Sequence, residues 1–237
     1  MQALIFDCDG VLVDTERDGH RVAFNRGFAE LGLDTDWPVE RYAELLTTAG
    51  GKERMIRHFE EKGWPASVTD RDGAIKTLHK RKTEIFMELI ETGGLPLRPG
   101  VERLVDEAIA AGIKLAVCST SNERAVTAVV EIMLGKDRAR HIAIFAGDIV
   151  PKKKPHPAIY TLAAQKLSLD PARCVVVEDS NNGLRAAKAA GMNCIVTVSS
   201  YTADEDFSEA DLVVPDLDAG VSLRDCRAIV EKRMAKV

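Results

Sequence analysis

Apolar residues run unbroken from Ala3 to Phe6 and are followed at once by Asp7 and Asp9. That pattern predicts a short strand buried on both faces, with two carboxylates emerging where it ends. Over residues 16–92 the period becomes that of helices, with breaks at Trp37-Pro38, Gly50-Gly51, Trp64-Pro65 and Gly93-Gly94 and no convincing strand. From Pro99-Gly100 onward, helices starting at Val101, Asn122, Pro157 and Gly183 alternate with β-branched runs over 113–119, 141–147, 174–179, 193–198 and 211–216. This alternation predicts an α/β fold, a doubly wound, Rossmann-like parallel sheet that the first strand joins. The helix from Val101 carries Leu104, Val105, Ala108 and Ile109 on the same stripe, with Gly112 just past its end, so its apolar face packs on a sheet. The expected organisation is a core over 1–15 and 97–237, interrupted by a helical cap over 16–96.

Composition narrows the function. With 237 residues, 46% of them apolar, the chain can bury a full core. A net charge of −5 argues against a nucleic-acid partner. No apolar stretch approaches the roughly 20 residues that cross a bilayer, and no leader pattern precedes the first strand, so a soluble protein with no membrane partner is expected. The five cysteines lack metal-ligand spacing and read as packing groups in a reducing compartment.

Open α/β sheets bind ligands beyond the carboxyl ends of their strands. Asp7 and Asp9 fall at one such end, Ser119 and Thr120 at a second, Lys154 in the loop after a third, and Glu178-Asp179 at a fourth. Strand alternation would turn Asp7 and Asp9 into the same crevice and Cys8 away from it. Clustered carboxylates repel one another unless a hard divalent cation lies among them, and oxygen ligands suit Mg²⁺. Ser119 and Lys154 suit the oxygens of a phosphoryl group. Each feature also has an ordinary reading. Glu178-Asp179 is equally a turn or N-cap, Lys152-Lys153 is a solvated charge run, and Ser121 or Asn122 caps the following helix. In the insertion, Ile75, Leu78, Ile85, Phe86 and Leu89 form an apolar stripe that includes Lys82, either as a snorkelling side chain or as a ligand for an anion. His20 lies in line with Phe24, Gly27 and Leu31, and Lys52, near Arg54, marks a helix start where free amides and a cation suit an anion.

DCDGVLVDTE, the strand-ending Ser119, Lys154-Pro155 and VVEDS, in that order, resemble the haloacid dehalogenase-like phosphatases whose helical cap follows strand one. GGKERM at 50–55, VCSTSNE at 117–123, FAGDIVPKKKP at 145–155 and YTADEDF at 201–207 resemble the CbbY-type branch, which is similar in fold to the β-phosphoglucomutases. The resemblance implies Asp7 as nucleophile, Asp9 as general acid and base, and Ser119 with Lys154 on the phosphoryl oxygens. It implies Mg²⁺ held by Asp7, the Asp9 carbonyl and Asp179, with Glu178 as a water-mediated neighbour. Glu16, His20, Lys52, Arg54, Lys82, Thr120 and Ser121 are its implied substrate contacts, and residues 14–17 and 93–99 the hinges of a mobile cap. The implied reaction is hydrolysis of a sugar bisphosphate, xylulose-1,5-bisphosphate to xylulose 5-phosphate, which removes an inhibitor of Rubisco without contacting that enzyme. A monomer is expected, in the chloroplast stroma of a plant or alga or in a bacterial cytoplasm. Two rival readings are a phosphosugar mutase of the β-phosphoglucomutase kind and a phosphoacceptor signalling module.

Overall fold

Every side chain of β1 (Ala3–Phe6) is buried, and the strand lies inside a six-stranded sheet. The computed structural model describes residues 1–48, 51–147 and 149–235, so Gly50 of the expected break lies outside the described residues. The other strands are β2 (Lys114–Cys118), β3 (Ile142–Phe145), β4 (Cys174–Glu178), β5 (Asn193–Thr197) and β6 (Leu212–Val214), in the order β3-β2-β1-β4-β5-β6 with every pairing parallel. Helices run as α1 (Arg21–Glu30), α2 (Val39–Leu46), α3 (Gly51–Lys62), α4 (Arg71–Glu91), α5 (Val101–Ala110), α6 (Glu123–Ala128), α7 (Lys136–Ala139), α8 (Ala158–Lys166), α9 (Asn181–Ala189) and α10 (Leu223–Met234). None of the described helices is long and apolar enough to cross a membrane.

Phe6 is in register with Val117 on β2 and Val177 on β4, so the residues that follow these three strands emerge along one edge. All five residues of β4 are buried, as its continuous apolar run requires of a strand covered on both faces. Helix α9 begins two residues before Gly183 because the Ser180 hydroxyl accepts from the Gly183 amide at 3.2 Å and caps the turn. Helix α10 was not anticipated. Its local signal is a capping box in which Ser222 and Asp225 satisfy each other's free amides.

Two compact units divide the chain, Met1–Asp14 with Leu95–Val237 and Thr15–Gly94. Among the described residues, the regular elements of the second are helices, opening on a π-helical stretch, Thr15–His20, that runs into α1. Its interior is aromatic, with the Trp37 ring 4.8 Å from Phe24 and 4.9 Å from Phe28, and Tyr42 buried beside them. Leu31 departs from the expected stripe. It is 43% exposed, because α1 ends at Glu30 and the chain turns there.

His58 of α3 is buried beside Trp37 and Phe59, with Arg41 Nε 3.4 Å from its Nδ1. Burial, then Arg41 and Lys62, push its pKa down to about 4 against the opposing pull of Glu61. An unfolded chain would protonate the same imidazole near pH 6.5. Between those values the unfolded state binds the extra proton, so the helical unit loses stability as pH falls from about 6.5 toward 4, by at most about 3 kcal/mol. Thermal melts followed by tryptophan fluorescence should show this acid limb. His58→Phe should flatten it, and an unaltered limb in a folded His58→Phe variant would contradict the assignment.

Candidate active site

The Asp7 amide donates to the Val177 carbonyl at 2.9 Å, carrying the β1–β4 ladder one residue past the strand. The backbone then turns through Gly10 at φ +78°, where a Cβ would lie 2.0 Å from Asp179 Oδ2. Only glycine lets this turn approach Asp179 so closely. Because β1 stops at Phe6, the orientation of Asp9 comes from this turn and not from strand alternation. The Asp9 carboxylate accepts a short hydrogen bond from the Ser121 hydroxyl. Asn122 therefore caps α6, its side chain accepting from the Arg124 and Ala125 amides at 3.0 and 3.4 Å.

Lys154 Nζ reaches Asp7 Oδ1 at 2.6 Å, Glu178 Oε1 at 2.6 Å and the Cys118 carbonyl at 3.1 Å. Its ammonium lies 5.1 Å from the ring centre of Tyr160, whose hydroxyl donates to the same Glu178 oxygen. Glu178 is fully buried, and Gly183 leaves room for it, since a Cβ there would lie 2.0 Å from the carboxylate. Ser119 is buried with its Oγ accepting from the Ser121 amide at 3.0 Å, which fixes the strand-ending loop. Thr120 offers its carbonyl to Lys153 at 3.4 Å. Lys152 and Lys153 are exposed, as a solvated charge run should be.

Burial pushes Asp7 up to about 7, Lys154 opposes that rise, and Glu178 with Asp9 reinforces it. Asp179 is pushed well above the usual carboxylate range by burial and by Glu178 and Asp7. Burial disfavours the Lys154 cation, yet Asp7 and Glu178 hold its pKa well above the ordinary lysine value. One ammonium thus serves three buried carboxylates, two of them in direct contact with it, and a further cation would let the set ionise where burial otherwise favours protonation. Asp7, Glu178 and Asp179 each offer an oxygen, all within 4.8 Å of one another. A compact, all-oxygen, anionic donor set fits a hard divalent cation such as Mg²⁺.

A second polar cluster lies within the helical unit. Lys82 is buried on α4 among Leu78, Ile85 and Phe86, its ammonium 3.0 Å from His20 Nδ1 and over the rings of Phe24 and Phe86 at 4.7 and 5.3 Å. Burial lowers its pKa to about 8, with Glu16 opposing and Arg54 adding to the shift. Burial and the cations of Lys82 and Arg54 hold His20 well below the usual histidine value, so its Nδ1 accepts from the ammonium. The Tyr42 hydroxyl donates to Glu16 at 2.6 Å and accepts from Arg54 at 3.2 Å. Glu16, His20, Arg54 and Lys82 therefore belong to one cluster, to which Tyr42 is an unanticipated addition. Lys52 stands apart from those contacts. It is exposed on the first turn of α3, and its charge acts on His79.

Tyr160 was also missed. Its position in the first turn of α8 gave it the look of an ordinary core aromatic, and only the buried Glu178 beside it reveals the use of its hydroxyl.

Residues 1–191 match the family described as haloacid dehalogenase-like hydrolase. A CBBY-like protein of Arabidopsis thaliana is 62% identical over 215 residues, spanning 89% of this chain and 67% of that protein. Protein CbbY of Rhodobacter capsulatus is 44% identical over 223 residues, 94% of this chain and 96% of the relative. A solved structure of mutant CbbY from Rhodobacter sphaeroides, in complex with xylulose-(1,5)bisphosphate, aligns at TM-score 0.75 and 44% identity, covering 94% of this chain and 98% of that one. With the catalytic-type strand ends and these likenesses together, the chain belongs to the haloacid dehalogenase-like hydrolases as a phosphatase of the CbbY type.

Proposed function

We propose that the protein is a Mg²⁺-dependent phosphatase of a sugar bisphosphate, with xylulose-1,5-bisphosphate as substrate and xylulose 5-phosphate as product. Asp7 attacks phosphorus in line and forms an aspartyl-phosphate, which water then hydrolyses. Asp9 protonates the departing sugar oxygen and afterwards takes a proton from the water, while Ser121 orients its carboxylate. Lys154 neutralises charge on the transferring phosphoryl group, and Ser119 offers that group a hydroxyl. Asp7, Asp179, the Asp9 carbonyl and Glu178 are the residues that would hold Mg²⁺, which when bound supplies further positive charge at the phosphate. The role toward Rubisco is functional, the removal of an inhibitor.

The observation that carries the bisphosphate reading is the buried Lys82, a cation in direct contact with a neutral imidazole and two aromatic faces, with Glu16 and Arg54 acting on it from the same cluster. Such a site favours an anionic ligand, and Arg54 adds a second positive charge. Each unit thus carries a cationic anchor for one phosphate, Lys154 in the core and Lys82 with Arg54 in the cap. The complex of CbbY with xylulose-(1,5)bisphosphate supports the same substrate class.

The test is kcat/KM for the bisphosphate and the matching monophosphate in wild type and in Lys82→Ala. Wild type should prefer the bisphosphate, and Lys82→Ala should lose that preference, with kcat falling as well as KM rising because distal contacts assist chemistry. Equal wild-type values, or a preference that survives in Lys82→Ala, would overturn the two-anchor reading. The phosphoacceptor alternative calls for a long-lived aspartyl-phosphate without turnover.

A further inference from the structure

Arg98 is a half-buried residue of the segment that returns the chain to the core, and no part of the proposed chemistry uses it. Its guanidinium nevertheless binds four backbone carbonyls. Nη1 donates to Gly10 through a short hydrogen bond, to the Thr197 carbonyl at 2.9 Å and to Thr197 Oγ1 at 3.2 Å. Nη2 donates to the Val198 and Pro215 carbonyls, each at 2.7 Å. Its own amide donates to Leu12 at 2.8 Å, and neighbouring Leu97 bridges to Val13, so the backbone beneath the side chain is anchored too.

Two of these partners, Gly10 and Thr197, adjoin the acid-bearing loops. Gly10 is the turn residue directly after Asp9, and it packs against Asp179 so closely that a Cβ would collide with that carboxylate. Thr197 ends β5 and its hydroxyl donates to the Glu178 carbonyl at 3.5 Å. One planar cation therefore ties the loop after β1, held at Gly10, to the end of β4, reached through Thr197. Asp14, Asp179 and Asp216 face the guanidinium electrostatically and favour its charge, while its burial opposes it. A lysine could supply the charge but not the fork of donors needed to hold several carbonyls at once.

We propose that Arg98 is a positioning residue that sets the spacing between the Asp7–Asp9 loop and the Glu178–Asp179 loop. The proposal rests on reading those carboxylates as the phosphoryl-transfer and metal-holding groups. Loss of the fork lets the two loops separate, which weakens cation binding and slows chemistry without removing a group that touches substrate.

The test compares full-length wild type, Arg98→Lys and Thr197→Val, the last keeping side-chain shape while cutting the route to Glu178. Mg²⁺ binding is measured by titration calorimetry, kcat and KM with p-nitrophenyl phosphate, and folding by thermal melt. At a temperature where all are folded, Arg98→Lys should weaken Mg²⁺ binding by about 10–100-fold and reduce kcat by at least about tenfold, the range seen when groups supporting metal ligands are removed. KM should change little, and Thr197→Val should move in the same direction by a smaller factor. Folded Arg98→Lys with wild-type Mg²⁺ affinity and kcat, or a change confined to the melting temperature, overturns the proposal. Should Arg98→Lys fail to fold, Thr197→Val decides by the same criteria. A wild type that binds no Mg²⁺ and releases no phosphate instead overturns the site reading, and the positioning role with it.

Discussion

Asp7→Asn is expected to lower phosphatase turnover by about 10⁴-fold or more, because it removes the attacking group of the proposed covalent mechanism. Asp7 stands immediately beyond β1, its amide held by Val177 and its carboxylate 2.6 Å from the Lys154 ammonium. The amide bond to Val177 is main chain and survives the substitution, so the backbone should keep its place. A carboxamide, however, is neither an anionic nucleophile nor an equal ligand for a hard cation. Phosphate release should be measured on enzyme purified free of host phosphatases, with circular dichroism to verify folding. A folded Asp7→Asn variant within tenfold of the wild-type rate would exclude the aspartyl-phosphate route.

Lys154→Met is expected to have the next largest effect, and on two quantities at once. The Lys154 side chain is 9% exposed and lies between the carboxylates of Asp7 and Glu178, which are 10% and 1% exposed. Removing one partner from a buried ion cluster leaves uncompensated charge, at a cost of about 3–5 kcal/mol. Turnover should fall by roughly 10²–10³-fold, as when a single donor to developing charge is lost. Urea melts without added metal and steady-state rates with Mg²⁺ separate the two effects. A variant as stable as wild type would mean that the two carboxylates are not held ionised by this lysine.

The parts of this arrangement that were legible in the sequence are those carried by local periodicity. The apolar runs of β1 and β4 could only be strands covered on both faces, and their ends placed Asp7, Glu178 and Asp179 together once the sheet was inferred. Lys82 was legible for the same reason, since it shares the buried stripe of α4 with Leu78, Ile85 and Phe86. Contacts made across long chain separations left no local trace. The Arg98 guanidinium meets Thr197 and Pro215 some 99 and 117 residues away, and the hydroxyl of Tyr160 reaches a carboxylate on another element. Lys52 shows what local chemistry leaves open. A glycine-flanked lysine at a helix start suits an anion, and it stands exposed on α3, apart from the contacts of Lys82.

The central claim, a phosphatase acting on a sugar bisphosphate, is tested most directly by Mg²⁺-dependent turnover of xylulose-1,5-bisphosphate with analysis of both products. The expected result is one equivalent of inorganic phosphate for each xylulose 5-phosphate formed, with kcat/KM well above that for xylulose 5-phosphate or for the epimer ribulose-1,5-bisphosphate. Isomerised phosphosugar without phosphate release, or equal kcat/KM for bisphosphate and monophosphate, would contradict it.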